Sequence, residues 1–239
     1  MERSGTVDKA VKVLEALASA GSAISLADLA ARVRLPKPTL HRLLASLLAH
    51  ELVEQDSEAR YALGIGLVRL GLGALTIDPF VRVARPELER AARGFGETFF
   101  LVGARAGKLV VLDKVEGTGF LRAAPSVGTE VPIELTASGR LYLGLDPSAL
   151  REAKNLKVSR KAVQTAVEQG YDENRGEWLA GLAVVAAPVS ARGRLWGTVA
   201  CAAIDAQVDD ARWEEAIRRT CAVAERLSRA LEGRGDNAT

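Results

Sequence analysis

Val7, Ala10, Val11, Leu14, Leu17 and Ala18 fall three and four residues apart, the spacing of one buried helical stripe, and Gly21 ends the run. Ser25 followed by Asp28 makes a capping-box-like start, with Asp where Glu is commoner. The helix it opens runs to about Val33 and buries Leu26, Leu29, Ala30 and Val33. Leu35-Pro36-Lys37-Pro38 comes next. Two prolines cannot sit inside a helix, so this segment is a turn, and Pro38 suits the first position of a third helix, where its missing N–H is not needed. That helix, about Pro38 to His50, carries Leu40, Leu43, Leu44, Leu47 and Leu48 on one face. Its opposite face holds Lys37, Thr39, His41, Arg42, Ala45 and Ser46. Leu52–Gln55 and Tyr61–Leu63 then flank a polar tip, Asp56-Ser57-Glu58-Ala59, as the strands of a hairpin. Helix, turn, helix and hairpin in that order predict a winged helix-turn-helix, which sets one helix into the DNA major groove.

Residues 1–64 form this first predicted domain, and residues 65–78 form a linker helix. Ile65 to Thr76 is apolar on nearly all sides, so it must be buried or paired. Both packing on its own domains and contact with a second subunit meet that need. Asp78-Pro79 ends it. Residues 79–239 form the second domain. Phe80–Gly94 reads as an amphipathic helix. Thr98–Ala104 and Leu109–Glu116 read as strands joined by a loop at Arg105-Ala106-Gly107-Lys108. Gly119–Ala124 suggests another strand, and Ala137–Leu145 and Lys161–Gln169 look helical. Leu182–Val189 and Leu195–Ile204 are strands joined at Arg192-Gly193, and Asp210–Leu231 is a long closing helix. The fold class is α+β, a sheet flanked by helices.

Composition narrows the function. The 239 residues suit two domains, and 48% are apolar, enough for two cores. The net charge is only +2, but it is unevenly distributed. No acid lies between Asp28 and Glu51, where Arg32, Arg34, Lys37 and Arg42 all fall. An ordinary solvated helix face explains the leucines but not the missing acids, because surface helices mix signs to gain i,i+4 pairs. Phosphate contact explains both. Arg60 is the wing residue placed to touch the DNA backbone, beside Glu54, Asp56 and Glu58, which oppose it. Cys201 and Cys221 sit among small apolar residues and read as core thiols rather than a disulfide framework. The two histidines, His41 and His50, both lie in the DNA-reading region, so a zinc site is not expected, nor any other metal or cofactor. The amino terminus lacks the apolar core of a signal peptide, and no run reaches eighteen apolar residues. The expected location is the cytoplasm, away from membranes.

Three segments carry a resemblance to a known family. VDKAVKVLEAL with ISLADLAARVRLPKPTLHRLLASLLAHELVEQDSEARYALGIGLVRLG resembles the start of IclR-type (isocitrate lyase regulator) transcription factors. VGTEVPIELTASGRLYLG looks like their effector-pocket segment. GYDENRGEWLAGLAVVAAPVSARGRLWGTVACAAI looks like the strand pair that closes that pocket. The resemblance implies a winged helix-turn-helix, a linker helix and a GAF-like effector domain, assembled as a dimer or a dimer of dimers on operator DNA. It assigns DNA reading to Lys37, Thr39, His41 and Arg42, with Arg34, Ser46 and Arg60 beside them. Arg34 stands where the family commonly has Gly, so either the turn differs or Arg34 adds a phosphate contact. Pro38 replaces a usual Ser. Glu51 replaces the Gly that closes the recognition helix, where a left-handed residue other than Gly costs about 1 kcal/mol.

The resemblance also implies pocket walls from five places: the strand at Phe120 and Ala123, the helix start at Ala137 and Ser138, the loop at Asn174, and the strands at Val184 and at Ala200 and Ala202. Family members that bind small carboxylic acids line these places with acid, thiol and hydroxyl groups. Asn, Val, Ala and Ala stand there in this chain, so an apolar or aromatic effector is expected, with Ser138 and Asn174 as polar anchors. Plain sheet core also accounts for the alanines and the valine. Arg122 and Arg140 either face solvent or meet an anion. An enzyme in the second domain is the main alternative, but that domain has no His, no paired carboxylates and no nucleotide loop, so no catalytic residue is assigned. A protein-interaction module is the other alternative, and salt dependence separates it from DNA binding.

Overall fold

The computed structural model describes residues 4–105, 107–119, 124–147, 149 and 157–233. The chain divides into two compact units, Met1–Thr76 and Ile77–Thr239.

The first unit contains α1 (Gly5–Ala20), α2 (Leu26–Val33), α3 (Lys37–Ala49), β1 (Val53–Gln55), β2 (Tyr61–Leu63) and most of α4 (Ile65–Ile77). The predicted leucines make its core: Val13, Leu17, Leu29, Leu40, Leu43, Leu44 and Leu47 bury together with Val53 and Tyr61. Ser25 caps α2, accepting from Asp28 N at 3.2 Å and donating to Asp28 Oδ2 at 2.7 Å. β1 and β2 pair antiparallel from Val53–Leu63 to Gln55–Tyr61, so the hairpin is a wing. Arg34 adopts φ 53° and Glu51 φ 58°. Both positions therefore keep the left-handed turn that glycine would supply, at a cost of about 1 kcal/mol each. Gly64 and Gly66 press on the Glu51 turn, and a Cβ on Gly66 would stand 2.8 Å from the Glu51 carbonyl oxygen. Gly66 N donates to that same oxygen at 2.8 Å, fastening the start of α4 to the end of α3.

The second unit is built on one antiparallel sheet of order β4-β3-β7-β6-β5. Its strands are β3 (Thr98–Arg105), β4 (Lys108–Val115), β5 (Asp172–Arg175), β6 (Leu182–Ala191) and β7 (Arg194–Ile204). One face packs on α5 (Pro79–Phe95) and α8 (Asp210–Glu232), burying Phe80, Leu88, Phe99, Leu101, Val185, Cys201 and Leu227. The other face packs on α6 (Ala137–Leu145) and α7 (Arg160–Gln169), burying Phe100, Val102, Val111, Leu141, Ala186, Ala200 and Ala202. Alternate residues of each strand thus serve two cores, which explains the near-continuous apolar runs of β3, β6 and β7. β6 runs past the short β5 and leaves an open edge. Pro188 there has no N–H, and Ser190 N donates to Ser228 Oγ on α8 at 3.1 Å, so the edge is closed to further pairing.

One sequence-based expectation needs correction. Asn174 does not lie in a loop but on the edge strand β5, whose sequence Asp-Glu-Asn-Arg has no apolar alternation to mark it. The core of the predicted strand at Gly119–Ala124, residues 120–123, lies outside the described residues; at its ends Gly119 lies in a bend and Ala124 in irregular chain.

Candidate functional site

The first site is the exposed side of α3. Its leucines face the core, so geometry forces Lys37, His41, Arg42 and Ser46 into solvent, while Thr39 is half-buried. Arg34 is exposed in the turn just before. Among the described residues, Arg32, Arg34, Lys37 and Arg42 form no ion pair with this chain. Their charges are therefore available to an outside partner. No side chain caps the start of α3, which leaves its first N–H groups to water or to a phosphate oxygen. Ser46 Oγ donates to the Arg42 carbonyl at 3.3 Å. Arg60 behaves differently. Its Nε donates to Asp56 Oδ2 at 2.8 Å, and its Nη1 lies 3.4 Å from Glu58. The wing's basic group is thus neutralised by the wing's own acids.

The second site is the α6 face of the sheet. Strand register puts Asn174, Val184, Ala202 and Thr98 in one row, and Asp172, Ala186, Ala200 and Phe100 in the next. Ala137 at the start of α6 joins Val184, Ala200 and Ala202 in the same core. Thr136 caps α6 by accepting from Gly139 N at 3.1 Å. A Cβ at Gly139 would stand 2.0 Å from the Ile133 carbonyl oxygen, so only glycine lets the chain before α6 lie this close. This packing holds Ser138 against the sheet, where its Oγ lies 2.8 Å from Thr198 Oγ1, both hydroxyls being buried. Four sequence-predicted positions thus share one face of the sheet, and Ala137 and Ser138 reach it from α6. Phe120 and Ala123, together with Arg122, lie outside the described residues.

Arg140 does not face solvent. It is buried, with Nε donating to Asp172 Oδ2 at 2.5 Å, Nη1 to Glu177 Oε2 at 2.9 Å and Nη2 to the Glu173 carbonyl at 2.9 Å. Burial opposes its charge, but the bonds to Glu177 and Asp172 outweigh burial and hold its pKa above the usual value. For Asp172 burial is the larger effect and raises the carboxyl above its ordinary range, against the pull of Arg140. Glu173, on the opposite face of β5, accepts from Trp213 Nε1 of α8. Arg175 stacks 4.8 Å from the centre of the Trp213 ring. The edge strand is therefore held by charged and polar partners on both faces. Sequence reasoning missed Thr198, although its two-residue spacing from Ala200 put it on the same face.

Cys201 is fully buried, and burial pushes its thiol well above the normal range; Cys221 is half-buried and shifted the same way. Neither is a thiolate nucleophile at neutral pH. Among the described residues no three His, Cys, Asp or Glu side chains converge as a metal site, and no helix is long and apolar enough to cross a membrane.

Residues 6–57 match the family model described as the IclR helix-turn-helix domain, and residues 73–229 match the bacterial transcriptional regulator IclR carboxy-terminal domain. A Cupriavidus necator protein named as the probable transcriptional regulator SauR is 30% identical over 220 residues, covering 85% of this chain and 86% of its own. The crystal structure of an IclR-type regulator from Alicyclobacillus acidocaldarius superposes with a TM-score of 0.82 at 27% identity, over 97% of this chain and 100% of the other. An IclR homologue from Microbacterium hydrocarbonoxydans, solved with 4-hydroxybenzoate, shares the fold at 18% identity, with a TM-score of 0.81 over 96% and 100% of the two chains.

Proposed function

The chain belongs to the IclR family of bacterial transcriptional regulators, with a DNA-binding helix-turn-helix and a carboxy-terminal effector domain, and on that premise we propose which residues do the work. Operator DNA is read by the exposed side of α3. Arg42, His41 and Thr39 meet base edges, while Lys37 and Arg34 meet phosphates and Ser46 lies at the border. The observation that carries this reading is the set of unpaired cations on a helix face without acids. Arg60 is at most a secondary contact, because a phosphate must compete with Asp56 and Glu58. The effector sits on the α6 face of the sheet, against Ala137, Val184, Ala200 and Ala202, with Ser138 and Asn174 as polar anchors. The small apolar side chains there favour an apolar or aromatic molecule over a small acid. The homologue solved with 4-hydroxybenzoate supports a ligand of one-ring size in this fold.

The working unit is a dimer or a dimer of dimers. Ile65, Val68, Leu70, Leu72 and Ile77 on α4 are each more than half exposed in the single chain, an apolar surface of the kind a partner subunit covers. A single winged helix also buries too little surface for tight operator binding. The protein works in the cytoplasm as a regulator and not as an enzyme, a reading supported by the relative named as a transcriptional regulator. Binding measured over a range of salt, on an operator recovered from random DNA, tests the proposal. Two phosphate-binding cations from each of two subunits give a slope of log affinity against log salt of about −4. A slope near zero rejects it.

A further inference from the structure

Asn174 is 4% exposed, yet its side-chain oxygen Oδ1 has no hydrogen-bond partner. Buried polar groups are normally satisfied, and an orphan acceptor calls for a donor from outside the fold. Its row neighbours on the sheet, Val184 and Ala202, have no side-chain donor. The hydroxyls of Ser138 and Thr198 bond to each other. Arg140 directs its guanidinium at Asp172, Glu177 and the Glu173 carbonyl, so its charge is already committed. At this end of the face two carboxylates stand against one cation. A ligand carboxylate brought here would meet an excess of negative charge. A neutral donor would complete Asn174 and meet no such penalty.

We infer that the effector presents an uncharged hydroxyl or N–H group, carried on an apolar body, to Asn174 Oδ1. The inference rests on the effector site proposed above and adds the chemistry of one end of the ligand. It makes Asn174 a specificity-determining residue: the site is built to take a donor, and it rejects the same molecule once that donor is methylated or replaced by a carboxylate.

The test uses three one-ring probes of similar size, 4-methylphenol, 4-methylanisole and 4-methylbenzoate, titrated calorimetrically into the full chain. 4-Methylphenol binds about tenfold more tightly than either of the others, the scale of one well-made hydrogen bond to a buried group. In Asn174→Leu the preference falls to within about twofold. A urea midpoint and circular dichroism spectrum of Asn174→Leu matching the parent control for folding. Equal or tighter binding of 4-methylanisole or 4-methylbenzoate overturns the inference. So does an unchanged preference in Asn174→Leu, or no binding of any probe. Ala202→Trp separates the two claims. Should 4-methylbenzoate bind best and Ala202→Trp abolish that binding, the pocket stands and the donor requirement falls. Should Ala202→Trp leave 4-methylphenol binding untouched, the pocket itself is misplaced.

Discussion

Replacing Arg140 with Leu keeps side-chain bulk in the α6 face but strips Asp172 and Glu177 of their shared cation. Arg140 and Asp172 are 10% and 15% exposed at their side chains, so the pair is largely withdrawn from water, whereas Glu177 at 47% can return to solvent. The loss is therefore mostly that of one buried carboxylate left without a partner, about 3 kcal/mol. With a urea dependence of about 2 kcal/mol per molar, that moves the unfolding midpoint down by about 1.5 M. The assay is tryptophan fluorescence at fixed protein concentration. All three tryptophans, Trp178, Trp196 and Trp213, lie in the second unit, so the signal reports that unit alone. The effect also depends on pH. Burial already holds the Asp172 pKa above its ordinary value, and without Arg140 it rises further. A folded pKa above the unfolded one contributes stability that is complete below the unfolded value and lost as pH rises through the folded value. The deficit of Arg140→Leu is therefore full at pH 8 and smaller in a second measurement at acid pH, because Asp172 takes a proton as pH falls. Asp172→Asn in the Arg140→Leu background restores much of the lost stability. A midpoint unchanged within error, or a deficit identical at both pH values, refutes the assignment of Arg140 as the buried counter-ion of β5.

Three further outcomes follow from the same geometry. Arg60→Ala lowers operator affinity less than twofold and leaves the salt slope unchanged, because Arg60 is already neutralised by Asp56 and Glu58; a loss as large as that of Lys37→Ala, read by fluorescence anisotropy, contradicts this. Ala202→Trp overfills the α6 face at about 1–3 kcal/mol of stability and removes the response to effector while operator binding survives; an intact response in a reporter assay sinks the pocket assignment. Val68→Glu with Leu72→Glu puts charge on the exposed side of α4, gives a monomer by sedimentation and weakens operator binding at least tenfold; an unchanged sedimentation coefficient excludes α4 from the subunit interface.

The amino-terminal unit was almost fully legible in the sequence because its helices are amphipathic and its turns carry prolines. Even Glu51 could be anticipated as left-handed, since it stands where a helix-ending glycine is expected. The effector face was legible only in part. Ala200, Ala202 and Val184 lie on strands whose apolar runs are unmistakable, but an apolar run buried on both faces does not say which residues share a side. The resemblance supplied that, and the strand register agrees with it. β5 went unseen because Asp172, Glu173, Asn174 and Arg175 look like a loop. What makes them a strand is three partners remote in sequence: Arg140, Trp213 and the backbone of β6. The burial of Arg140 was hidden for the same reason, since an isolated arginine reads as surface until the carboxylates that surround it are placed.

Competitive binding of Arg42→Ala and Lys37→Ala, on the selected operator and on a scrambled duplex at several salt concentrations, addresses DNA reading by α3 most directly. Arg42→Ala is predicted to lose about 1–3 kcal/mol on the operator and little on the scrambled duplex, so that discrimination collapses. Lys37→Ala is predicted to weaken both duplexes alike and to flatten the salt slope by about one for each lysine removed. Full operator affinity and full discrimination in a folded Arg42→Ala protein would contradict the assignment of α3 as the reading helix.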